Sequence, residues 1–172
     1  MKVKNIIAGL VFLAANYAVA YPMVGDKVEW KGTVVGTDGT STEVLGSKEV
    51  LEQDPTTMKW LVKSWYKMGK WEKMETKYAK KMWTPEKWTT VQTNCVARGG
   101  MLEDVTVPAG TFSTCKFTKS DEDFVGLGKH DDDDDGTMTM WMGDVPFGVV
   151  KVMHTGDKGT KTIELNTVTL GQ

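Results

Sequence analysis

An apolar–polar alternation of period two, cut at short intervals by turn residues, runs from Val24 to the C-terminus. Successive strand side chains point to opposite faces, so this pattern predicts strands that bury one side and wet the other, paired antiparallel through short turns. Val28, Trp30, Gly32 and Val34 alternate with Lys27, Glu29, Lys31 and Thr33. Further strands are expected over residues 42–51, 58–65, 101–107, 112–118, 137–142, 149–154 and 160–170, with turns at Gly36-Thr37-Asp38-Gly39, Met68-Gly69-Lys70, Pro108-Ala109-Gly110-Thr111, Asp144 to Gly148, and Gly156-Asp157-Lys158-Gly159. Residues 71–82 carry the mixed charge of a helix, but Met74, Thr76 and Tyr78 alternate, and the reading is strand.

One segment reads as a helix. Thr84 suits an N-cap, Pro85 the first helical position, and Glu86 the positive end of the helix dipole. Trp88, Val91, Gln92 and Cys95 then share a face, and Gly99-Gly100 supplies a left-handed terminator. The fold class is therefore mainly β (α+β): a curved antiparallel sheet, or open half-barrel, with one helix on its concave side. A single short helix covers the apolar face of such a sheet only in part.

The first twenty residues read as an export signal. Lys2 and Lys4 precede a mostly apolar run from Ile6 to Ala15, and Ala18-Val19-Ala20 provides small residues before a cut at Tyr21. A run of roughly 10 residues is too short for a permanent span, which needs about 20. What remains, residues 21–172, fits one exported domain with no transmembrane segment. The whole chain has a formal charge of −2, and loss of the two lysines makes the mature chain more acidic. Arg98 is the only arginine. That scarcity, with export, argues against nucleic acid as a partner. Cys95 and Cys115 form an even pair in an oxidising compartment, which predicts a disulfide; no Cys-x-x-Cys suggests a redox or metal site.

The stretch Asn94-Cys95-Val96-Ala97-Arg98-Gly99-Gly100, the run Glu103 to Phe112 with its Val107-Pro108-Ala109-Gly110-Thr111-Phe112 hairpin, the pair Cys115-Lys116, and the Val145-Pro146-Phe147-Gly148 turn resemble a group of exported bacterial proteins of unknown function. These are similar in turn to the lipoprotein-carrier (LolA/LolB-like) superfamily. The resemblance spans about half of the mature chain. It implies a periplasmic or secreted protein with an open, curved half-barrel whose concave face holds acyl chains. It carries no ligand residue to a numbered position.

Three clusters have chemistry to weigh. Asp131, Asp133 and Asp135 before Gly136 begin like a calcium loop, but the twelfth position is Met142 rather than Glu, so an EF-hand is excluded. A looser Ca2+ site closed by Glu122 or Asp144 stands against a plain solvated acidic loop. Met138, Met140 and Met142 lie on one strand face; packing explains them, with Cu(I) binding alongside His130 or His154 the alternative. Trp60, Trp65, Trp71, Trp83 and Trp88 fall in a segment rich in lysine, suited to an anionic surface or to plain solvation. With two histidines and no Gly-x-Ser-x-Gly, His-Glu-x-x-His or phosphate-cradling loop, no enzyme is indicated.

The expectation is a non-catalytic binding protein for a hydrophobic, lipid-like ligand, without a cofactor other than the Ca2+ just weighed. Phe112, Phe117, Met138, Met140, Met142, Val150 and Val152 are the candidates for its groove or its core, which periodicity does not separate. The alternative is an envelope or cell-surface interaction protein, with a protein or anionic surface as partner, using the Trp/Lys segment or the acidic loop.

Overall fold

The computed structural model describes residues 21–120 and 136–172. Nine strands form one antiparallel sheet: β1 (Lys27–Gly36), β2 (Ser41–Gln53), β3 (Trp60–Met68), β4 (Trp71–Ala79), β5 (Met101–Val107), β6 (Gly110–Ser120), β7 (Thr137–Gly143), β8 (Val149–Gly156) and β9 (Gly159–Thr169). The helix α1 (Pro85–Asn94) and a single 3-10 turn (Val96–Arg98) lie between β4 and β5. The spatial order is β4-β3-β2-β1-β9-β8-β7-β6-β5, so two meanders meet where the first and last strands pair. The ambiguous segment is a strand, ending at Ala79. Met58, expected in β3, instead sits in the preceding turn at φ +54, where the Asp54 carboxylate accepts from the Thr56 and Thr57 amides and draws the chain into a local loop.

The sheet is open and curls. The tip of the β5–β6 hairpin reaches β9, where the Ala109 amide donates to the Leu165 carbonyl at 3.2 Å. In a flat sheet β6 and β9 would stand three spacings apart, about 14 Å. Register shifts at Glu29/Trp30, between Val50 and Glu52, and at Trp141/Met142 add local bends. At the centre, Gly32 lets β1 and β9 close up: a Cβ there would fall 1.9 Å from the Thr162 carbonyl oxygen.

Curling gathers the core at one end of the concave face. Val28, Val150 and Leu165 are fully buried together with Val107 and Val145, and Val105, Ala109 and Phe112 of the hairpin pack over them. Each such aliphatic side chain contributes about 1.5–3 kcal/mol by leaving water. The convex face is held by cross-strand pairs instead. Lys116 and Lys151 lie 5.3 and 5.5 Å from the Trp141 ring, and they pair with Glu103 and Glu164 respectively.

Because β4 and β5 are opposite edges, the segment joining them has to cross a face of the sheet. It crosses the concave one and carries α1. Thr84 caps the helix, its hydroxyl accepting from the Lys87 amide at 3.2 Å, and Pro85 opens it. Gly99, left-handed at φ 78, ends the 3-10 turn. Trp88 and Cys95 are buried against Cys115, with Trp83, Val91 and Phe117 around them. The Cys95–Cys115 disulfide ties α1 to β6 across a sequence separation of 20. Among the described residues the helix thus covers the β6 side of the concavity and leaves much of the β1–β4 side open.

Candidate functional site

On the uncovered half, antiparallel register fixes which residues share the concave face. Trp30 stands opposite Gly46, Gly46 opposite Tyr66, and Tyr66 opposite Lys73; the next row runs Lys48, Ser64, Glu75. Val50, Val62 and Lys77 form the row beyond. Gly46 is the low point. An added Cβ would sit 3.8 Å from the Tyr66 ring and 3.9 Å from the Trp30 ring, so glycine leaves a depression walled by two aromatics.

That depression belongs to a trough with two lobes. One, of about 240 Å³, is lined by Trp30, Gly46, Lys48, Ser64, Tyr66 and Lys73, among others. The other, of about 310 Å³, lies between Lys48, Val62 and Lys77 on the sheet and Met82, Trp83 and Phe147 opposite. Lys48 and Ser64 line both. The larger lobe reaches the lower end of the range for small-molecule sites.

The walls are held from behind. The Trp30 indole donates to the Val149 carbonyl at 2.9 Å, and the Trp83 indole to the Gly143 carbonyl at 3.0 Å. Trp83 also lies flat against Gly148, close enough that a Cβ on that residue would meet the ring at 2.5 Å. The Asp144 beside Gly143 accepts from the hydroxyl of buried Tyr21, whose pKa is raised, first by burial and then by that carboxylate. Asp26, also buried, accepts from the amides of Met23 and Gly171 and so ties the segment before β1 to the residues after β9.

The trough is cationic as well as apolar. Among the described residues Lys48, Lys73, Lys77, Lys81 and Lys87 line its lobes against a single carboxylate, Glu75, which pairs with Lys77 at 3.2 Å. Lys87 donates to the Met82 carbonyl. Lys48 keeps solvent-accessible surface although protein surrounds most of its side chain, as befits a group inside a concavity. Burial, then the charge of Lys77, pushes its pKa down. Its ammonium lies 5.8 Å from the Phe147 ring, and among the described residues no carboxylate comes within ion-pair distance of it. Lys161, over the Tyr66 ring at 5.8 Å, is likewise shifted down by burial, and Tyr66 is shifted up for the same reason.

The groove candidates from the sequence divide among three places. Val150 is fully buried and Phe112 packs beside it in the core. Phe117 packs under the helix with the disulfide. Met138, Met140, Met142 and Val152 are half-buried on the same face as Phe117, in cross-strand register with His154, Val152 and Cys115. None of the seven lines either lobe. Asp131, Asp133 and Asp135, with His130 and Glu122, lie outside the described residues, as does the signal segment. Among the described residues no three His, Cys, Asp or Glu side chains gather as a metal site, and no helix is long and apolar enough to cross a membrane.

The Trp/Lys segment is split. Trp88 is buried under the helix, Trp83 walls the trough, and Trp65 donates to Glu72 at 2.6 Å on the convex face. Trp71 is 51% exposed on the edge strand β4. Lys73, Lys77, Lys81 and Lys87 of this segment line the trough. Sequence reasoning passed over Trp30, Lys48, Val62, Tyr66 and Phe147. One signal was available: Gly46, a lone glycine within a strand pattern, marks a place where backbone or ligand approaches closely.

No family model matches the chain, and no curated protein does. A solved structure from Bacteroides fragilis, described as a candidate exported protein with a YmcC-like fold, is similar over 88% of this chain and 99% of its own, with a TM-score of 0.50 and 11% sequence identity. At that identity the likeness speaks to architecture alone, and the architecture of this chain is YmcC-like.

Proposed function

We propose that this is an exported, non-catalytic binding protein that holds a lipid-like ligand in the trough over β1–β4. The observation that carries the reading is a concave face that the described residues cover only in part. The disulfide fastens α1 over β6, the hairpin tip plugs the β9 end, and the aromatic-walled lobes around Gly46 and Val62 remain open. Apolar walls with a few polar groups placed among them are the usual make-up of a small-molecule site. Export is supported by the signal-like first twenty residues, by a disulfide that suits an oxidising compartment, and by the description of the Bacteroides protein.

Native mass spectrometry of the processed protein, released from the envelope of its source cell, tests this directly. An adduct with the mass of an acyl compound is the expected result, and the processed chain should begin at Tyr21. A protein that emerges without adducts and fails to enhance the fluorescence of the neutral apolar probe N-phenyl-1-naphthylamine refutes the reading. A second reading rests on β4, an edge strand whose Trp71, Met74 and Tyr78 are 51, 60 and 48% exposed. Such an edge suits docking to an envelope protein. Met74→Glu and Tyr78→Glu substitutions on this edge, outside the trough lining, that abolish envelope association without changing probe binding would favour it.

A further inference from the structure

We infer that the trough selects an amphiphile with an anionic head group, a carboxylate or a phosphate monoester, which seats between Lys48 and Lys77 while the chain runs along an aromatic-walled lobe. This rests on the binding function proposed above and adds the chemistry of the ligand's polar end.

Three observations converge on it. First, the charge around the trough runs against that of the whole chain. The protein carries a net charge of −2, yet among the described residues five lysines and one carboxylate line the two lobes. A plain apolar carrier has no need of this concentration of like charge around its opening. Second, Lys48 stands where the lobes meet, with Ser64 opposite it in register and Lys77 on the next row. Lys77 has Glu75 as partner; among the described residues Lys48 has only the face of Phe147 and no carboxylate. Two cations without an anion between them raise each other's energy, and an anionic head placed there removes that cost while accepting charge-assisted hydrogen bonds. Third, apolar walls flank this junction on both sides, Trp30 and Tyr66 in one lobe, Val62, Met82 and Trp83 in the other. A chain leaving the head group in either direction meets apolar surface. A neutral lipid would use the walls and offer Lys48 no counter-charge; a small hydrophilic anion would use the lysines and leave the walls wet. Only an anionic amphiphile uses both.

The test uses the mature protein and displacement of N-phenyl-1-naphthylamine by three probes below their micelle-forming concentrations: oleate, oleyl alcohol and oleoyl lysophosphatidate. The inference expects oleate, lysophosphatidate or both to displace the dye at a concentration about tenfold or more below that of oleyl alcohol, the preference that one charge-assisted hydrogen bond in a partly dry site provides. Preference for oleate alone assigns a carboxylate head, and for lysophosphatidate alone a phosphate. The Lys48→Met variant keeps the length of the side chain and should lose most of the preference, read as the ratio of displacing concentrations within each protein so that any change in dye affinity cancels; Lys48→Gln gives the same answer if methionine perturbs folding. Equal displacement by all three probes overturns the inference and leaves the apolar binding site standing. Failure of the dye to bind removes the binding site itself. A preference that survives both Lys48 substitutions overturns the placement of the head group.

Discussion

Gly148→Ala tests whether the far wall of the trough is locked as the structure shows. Gly148 sits at φ +77, and a Cβ there would lie 2.5 Å from the Cδ2 and Cε2 atoms of Trp83. The left-handed backbone costs an alanine about 1 kcal/mol. The overlap cannot be relieved without moving the indole, and overpacking of this kind costs about 1–3 kcal/mol. Movement also breaks the bond from Nε1 to the Gly143 carbonyl, worth about 1 kcal/mol net. The total is about 3–5 kcal/mol, a drop in Tm on the order of 6–20 °C for a domain of this size. Gly99→Ala provides the control. Gly99 has nearly the same backbone angle, φ +78, with nothing within 4 Å of the added carbon, so only the backbone term of about 1 kcal/mol applies. Thermal melts followed by circular dichroism measure both variants, and dye binding reads out the wall. Gly148→Ala should be the less stable by about 2 kcal/mol or more and should bind dye more weakly. If the two variants melt within about 0.5 kcal/mol of each other, Trp83 is not held against Gly148 and the wall has been misread.

Removing the disulfide as a Cys95→Ala/Cys115→Ala double variant should cost about 3 kcal/mol by loop closure over a separation of 20 residues; hydrogen exchange should then show early loss of protection over α1, since a ten-residue helix is marginal on its own, while an unchanged Tm and protected helix would contradict its role as the fastening. Stability should fall as pH rises above about 10, the ordinary tyrosine value, because folded Tyr21 holds its proton where the unfolded chain releases it. That contribution is fully present below this pH, and Tyr21→Phe should flatten the alkaline slope of chemical-denaturation stability; an identical slope in the variant would rule the group out.

Much of the fold was legible because its elements are set locally. Alternation placed every strand, and the Thr84-Pro85-Glu86 start placed the helix, since each signal acts within a few residues. The site was less legible because it depends on strand order. Met138, Met140 and Met142 do share a face, as alternation requires, but that face is partly taken up by the helix side of the concavity. Which half stays open follows from β4 and β5 lying at opposite edges and from the disulfide drawing the crossing segment toward β6. Both are long-range facts. Lys48 illustrates the same limit. In the sequence it is one charged residue in an alternating run, Gly46 to Val50, and only the pairing with Ser64 and the approach of Phe147 turn it into the floor of a cleft.

The position of Lys48 makes a claim about stability as well as binding. Its pKa is lowered by burial and by Lys77, so between its folded value and the ordinary lysine value near 10.5 the unfolded chain binds more protons than the folded one. Stability therefore rises with pH through that window, and the penalty of the charged group is present in full below it. Because Lys48 keeps solvent contact the penalty is small, and an anion bound beside it removes it. Lys48→Met should accordingly stabilise the ligand-free protein at neutral pH and abolish the part of the alkaline rise due to this group, while weakening the hold on oleate relative to oleyl alcohol. Chemical denaturation of both proteins at pH 7 and pH 10, with and without oleate, measures all of these at once. If Lys48→Met lowers the stability of the ligand-free protein, the lysine stem is contributing packing rather than standing in reserve for an anion, and the argument for a charged ligand loses its strongest residue.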